Sequence, residues 1–219
     1  LLSPGRARLC SGQGAVVKTA GQDLVQRVLS ENACLRFNLD DGGVNAPRVF
    51  EPTTHPTDED PLRPARIQTP TARIALLPEL RALLQEAKQQ KGLQGEGAAQ
   101  NQYDPEALSL CANGKLPARV FATKAADIGR ALALQQEFSL PMVLENPNEI
   151  ERLAKTAAAQ GVSAVFRLPA YVGRANPGGE DRSQKVPEAR LDAPAKAAAA
   201  GMKVGLAQAP GAPLRDSLL

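Results

Sequence analysis

The sequence predicts an α/β protein in which parallel strands are joined by crossover helices. Three observations carry that expectation. The stretch RVFATKAADIGRALALQQEFSLPMVLENPNEIERLA, Arg119 to Ala154, reads as strand, helix, strand, helix. The strands are short apolar runs without in/out alternation, the pattern of strands covered on both faces. The composition is globular, with 43% hydrophobic and 22% charged residues in 219. That length supports one sizeable core or two small ones.

The elements follow in order. Ala15-Val16-Val17 within 12–20 marks a short buried strand, stopped by Gly21. In QDLVQRVLSENACLRF, Leu24, Val25, Val28 and Leu29 fall at helical spacing and predict a helix. Residues 38–68 hold Asp-Asp-Gly-Gly and a run of prolines, and are expected to form a loop or insertion. Thr69-Pro70 opens a helix with the stripe Ile74, Leu77, Leu80, Leu84 and Ala87, and Gly92 ends it. Pro78 inside that helix should kink or split it, because it lacks a backbone donor and clashes one turn back. Asp104-Pro105 starts a short helix ending near Asn113-Gly114.

From Arg119 the pattern becomes periodic. Strand 119–122 leads to helix 125–138, with Ile128, Ala131, Leu132 and Gln135 as its inner stripe. Strand 140–144 leads to helix 148–160, where Asn148 and Glu151 have capping-box spacing and Gly161 ends the helix. Strand 162–168 and a polar loop follow. Asp192 then caps an Ala-rich helix that Gly201 ends, 202–206 is a strand, and 213–219 begins a further helix. This pattern leaves two architectures, a (β/α)8 barrel and an open doubly wound sheet. The sequence Gly12-Gln13-Gly14 precedes its strand, so it is not a phosphate loop.

Several function classes lose support. A net charge of +3 spread along the chain, with 3% aromatics, gives no basic patch with stacking rings, so no nucleic-acid partner is expected. No apolar run approaches the ~20 residues that span a bilayer. Cys10, Cys34 and Cys111 form no CxxC and are expected to be free thiols. The single histidine, His55, lies in the Pro-rich acidic stretch and is expected at the surface. One histidine excludes a His-rich zinc site within this chain.

The segments GQGAVVKTAG, ARVFATKAADIGRALALQQEFSLPMVLENPNEIERLA, GVSAVFRLPA and AAAAGMKVGLA are similar in order and spacing to the amidohydrolase superfamily. The likeness is to its imidazolonepropionase-like and Xaa-Pro-dipeptidase-like branch. It implies a (β/α)8 barrel of TIM type, incomplete here, with metal-assisted hydrolysis of C–N bonds. The family's ligands stand at strand C-termini: His-x-His on the first strand, often a lysine on the fourth, histidines on the fifth and sixth, an aspartate on the eighth. Carried over, Lys18 matches the lysine position. The fifth-strand end reads Val120-Phe121-Ala122-Thr123 and the sixth Leu144-Glu145-Asn146-Pro147. The eighth reads Ala207-Gln208-Ala209. Phe121, Thr123, Asn146 and Ala209 thus stand where ligands are expected, and only Lys18 and Glu145 offer ligating chemistry.

The resemblance therefore implies a barrel that keeps its packing and lacks its metal set, acting as a structural or binding subunit with no bound cofactor. The alternative is an active C–N hydrolase with a rearranged zinc site. Its groups would be Lys18, Glu145 and the polar-loop residues Arg174, Asn176, Glu180 and Asp181. Residues 1–219 are expected to form a single incomplete barrel domain, with 38–68 as an insertion and the missing strands supplied by other segments, another chain or a second copy. Arg167, inside a strand, is expected to face the barrel interior or a partner carboxylate.

Overall fold

The computed structural model describes residues 8–18, 20, 23–44, 70–89, 104–167 and 192–207. Six strands form one sheet in sequential order. They are β1 (Cys10–Val17), β2 (Val28–Asn38), β3 (Ala118–Phe121), β4 (Met142–Glu145), β5 (Ser163–Arg167) and β6 (Val204–Ala207). Strands β2 to β6 are all parallel, with helices on the crossovers, and β1 runs antiparallel to β2. The sheet curls into a half-barrel, so the predicted α/β class and partial TIM-type barrel are both present.

The helices are α1 (Leu24–Arg27), α2 (Leu76–Gln89), α3 (Pro105–Ala112), α4 (Ala125–Phe138), α5 (Ala154–Ala159) and α6 (Ala193–Ala199). One face of the sheet packs against them. Leu35 and Phe37 of β2, Ala118 and Val120 of β3, Met142 and Leu144 of β4, and Ala164 and Phe166 of β5 belong to this core. From the helices it takes Leu80, Leu84, Ile128, Ala131 and Leu132, among others. Because strand side chains alternate, the intervening residues line the opposite, concave face. They are Arg36, Asn38, Arg119, Phe121, Val143, Glu145, Ser163, Val165 and Arg167.

The helix expected over 22–37 is corrected. Only Leu24–Arg27 is helical, and Val28–Asn38 is a strand. Val25 and Leu29, which set the helical spacing, are exposed. The apolar residues that enter the helix-covered core, Leu35, Phe37 and Leu39, repeat every second residue, and Arg36 and Asn38 between them are buried on the other face.

Two helices begin later than expected. A 3-10 turn at Arg73–Ala75 precedes α2, so Pro78 falls in the first turn, where its missing donor is not needed. No kink is required, and Ile74 is left exposed. Before α5, the bonds Ile150 N–H to Pro147 O (3.2 Å) and Leu153 N–H to Ile150 O (2.7 Å) wind 147–153 into tight turns. The expected capping box does not form. Glu151 reaches Lys196 at 2.9 Å instead.

The stops at Gly161 and Gly201 hold, while those expected at Gly21 and Gly92 lie outside the described residues. Gly161 and Gly201 adopt φ of 69° and 91°, a region that glycine enters without a Cβ clash. The expected terminal helix, most of the 38–68 insertion and the polar loop lie outside the described residues.

Candidate functional site

The chemistry of the concave face centres on Glu145, the last residue of β4. Its carboxylate has no solvent exposure and faces three arginines, one on each of three strands. Parallel register sets this up: Arg36 of β2 lies beside Arg119 of β3, which lies beside Val143 of β4. Glu145 is two residues further along β4 on the same face, beside Val165, and Arg167 is two residues beyond that on β5. Arg36 Nη2 stands 2.7 Å from both carboxylate oxygens. Arg119 Nε donates to Oε2 at 3.1 Å, and Arg167 Nη2 donates to Oε1.

The electrostatics follow from that geometry. Burial alone would raise the Glu145 carboxyl, but the charges of Arg36, Arg119 and Arg167 outweigh it and hold it below the usual carboxylate range. For Arg36, burial pulls the guanidinium down and Glu145 pulls it back up. Its two neighbouring arginines pull it down again, and the net direction is down. Three guanidiniums and one carboxylate sum to +2.

A second layer sits at the strand C-termini. Asn146 adopts a left-handed φ of 57° directly after β4. Its N–H donates to Val165 O at 2.7 Å, and its Oδ1 accepts from the Arg167 N–H at 3.3 Å. The left-handed turn thereby ties β4 to β5 just above the arginines. Thr123, after β3, donates its hydroxyl to Asp40 Oδ2 at 2.9 Å. Arg73 pairs with Asp41 at 2.5 Å and also with buried Asp127 of α4, and Arg130 reaches Asp127 at 3.0 Å. This acidic and basic network clamps the segment after β2 onto α4.

Among solved structures, the crystal structure of an amidohydrolase from Thermotoga maritima MSB8 matches with a TM-score of 0.64 at 20% identity. The match covers 93% of this chain. The fold is amidohydrolase-like. The chain spans about half the length of that protein, 48% of which is covered. No protein family matches the chain by sequence pattern, and no curated protein matches it by sequence. A likeness at this identity is one of fold, and function has to be argued from the site.

Phe121, Thr123, Glu145 and Asn146 gather at the C-terminal ends of β3 and β4, where the amidohydrolase-like fold leads one to look for a site. Lys18 does not join them. It is exposed just past the end of β1, where Val17 pairs with Val28 at the start of β2. Since β1 is antiparallel, Lys18 belongs to the opposite end of the sheet. The strand beside β3, which ends in Asn38, holds no lysine. Arg174, Asn176, Glu180, Asp181, Ala209 and His55 lie outside the described residues.

The zinc that the resemblance implies does not fit the described residues. Both Glu145 oxygens already accept from guanidiniums, and a dication there would be added to a local charge of +2. Phe121 has no donor atom, and Thr123 offers only a neutral hydroxyl, a weak ligand for zinc. Among the described residues, no three His, Cys, Asp or Glu side chains are arranged to hold a metal.

Reading the residues in isolation missed Arg36 and Arg119. Arg119 is a single cation inside an otherwise apolar strand, the signal that did single out Arg167, and Arg36 stands between Leu35 and Phe37 at the apolar end of β2. The three thiols are free and buried, as expected. Though far apart in sequence, they lie within electrostatic reach of one another where β1, β2 and α3 meet. Burial pushes Cys10 up to about 11 and Cys111 up to about 12.

Proposed function

We propose that this chain is an amidohydrolase-like half-barrel acting as a binding or structural subunit, without metal-assisted hydrolysis. The observation that carries the reading is the engagement of Glu145 by three arginines. A carboxylate held this way is ionised, buried and fully hydrogen-bonded. It has no lone pair placed for a metal and too low a proton affinity to serve as a base near neutral pH. Asn146 and Thr123 offer only neutral oxygens, each held to the scaffold by a hydrogen bond.

Metal content tests this directly. The purified chain is stripped by mild chelation, re-exposed to zinc and measured by mass spectrometry. The expected result is zinc at background. Stoichiometric zinc retained at neutral pH would overturn the reading.

A second reading has one observation in its favour. The chain covers about half of a protein that is an amidohydrolase, 48% of its length. On that reading other segments, a partner or a second copy complete a zinc site, and the activity is C–N bond hydrolysis of the imidazolonepropionase-like or Xaa-Pro-dipeptidase-like kind. Retained zinc, followed by turnover of such substrates, would favour it.

A further inference from the structure

We infer that the concave face of the half-barrel binds a small oxyanion, a carboxylate or phosphate group, between Arg119 and Arg167 beside Glu145. The inference deepens the binding reading above and rests on it.

The first argument is charge. Arg36 and Arg119 are direct lateral neighbours on adjacent parallel strands, and like charges so placed repel. Their side chains are 2% and 9% exposed, so water screens them poorly. Among the described residues, Arg119 and Arg167 share Glu145 as their one carboxylate partner. The pair therefore carries a positive surplus beside a buried carboxylate, which is costly without a further counter-charge.

The second argument is hydrogen-bond inventory. A guanidinium carries five N–H donors in a fixed fork that matches an oxyanion. Arg119 uses Nε on Glu145, and its two terminal nitrogens donate to no group among the described residues. Arg167 uses Nη2, and its Nε and Nη1 donate to none among them. Both residues line the same face, where Val143, Ser163, Val165 and Arg167 are only partly covered.

The test is isothermal titration of the whole chain, after chelation, with inorganic phosphate and with malonate as separate probes. The expected result is saturable one-site binding in the millimolar range or tighter, weakened about tenfold in Arg119→Met and in Arg167→Met. Lys18→Met, at the other end of the sheet, should bind as the parent does. Circular dichroism checks that each variant is folded. If Arg119→Met is not, Arg119→Lys replaces it, keeping the charge while losing the fork, and should also bind more weakly. The absence of saturable binding by either probe would overturn the inference, as would equal affinity in folded variants. A parallel zinc titration separates the two failures. Neither zinc nor anion bound sinks this inference alone, and stoichiometric zinc sinks the binding reading with it.

Discussion

Glu145 decides how this half-barrel responds to substitution, because it is outnumbered. Glu145→Gln leaves three guanidiniums, two of them buried, around a neutral amide, so a loss of about 3–5 kcal/mol is expected in urea denaturation. Arg119→Met removes a charge from a surplus, and its cost should stay within about 1 kcal/mol. Equal costs would mean that charge imbalance is not what governs the cluster. The pH dependence follows from the same residue. Its folded-state carboxyl titrates below the unfolded value of roughly 4.3, so its stabilisation is complete above that pH. It is lost as pH falls through the depressed folded value. Denaturation midpoints in acid should therefore drop for the parent chain and change less for Glu145→Gln. Thiol chemistry offers an independent check on the core. Cys10, Cys34 and Cys111 are buried, with their thiols held protonated, so a thiol reagent should react slowly with the native chain and rapidly with all three once urea unfolds it. At this scale the sequence was half legible. Glu145, Phe121, Thr123 and Asn146 could be placed from strand ends alone. That Glu145 is buried under three arginines could not, because it depends on the register of four strands.

Helix and strand signals were legible where they are local. The run from β3 to β5 and the caps at Gly161 and Gly201 came directly from periodicity and glycine placement. β2 did not, since Val25, Val28 and Leu29 offer a helical spacing over a window of barely two turns. The competing signal is Leu35, Phe37 and Leu39 alternating with Arg36 and Asn38, a period of two with polar side chains on one face. The end of α4 carries another prediction. Ser139 caps it in a left-handed conformation, with φ of 55° and ψ of 41°, which costs a residue bearing a Cβ about 1 kcal/mol. Ser139→Gly should raise thermal stability by about 0.5–1 kcal/mol. At Asn146 the same exchange should not help, because the Asn146 side chain also accepts the Arg167 N–H. Thermal melts of the two glycine variants side by side distinguish local strain from useful strain.

The molecule as a whole is a sheet that curls without closing among the described residues. β6 is hydrogen-bonded to β5 on one side, and Leu206 on it is exposed. Such an edge invites pairing with another chain. Sedimentation at rising concentration is expected to show self-association, and Leu206→Lys should shift it toward monomer; identical profiles would mean that this edge is covered. The α/β class was legible because βα periodicity repeats, and the barrel was read from the resemblance alone, whereas the direction of β1 was not legible, since a three-residue apolar run fits either orientation. That direction has a consequence for how such a chain can grow. Duplication of a gene encoding half a barrel yields a closed ring only if the first strand of the second copy can lie parallel beside the last strand of the first. Here a backward-running strand is stitched along β2 and acts as a stopper. A parallel strand can reach the β2 edge of the described sheet only where β1 is peeled away.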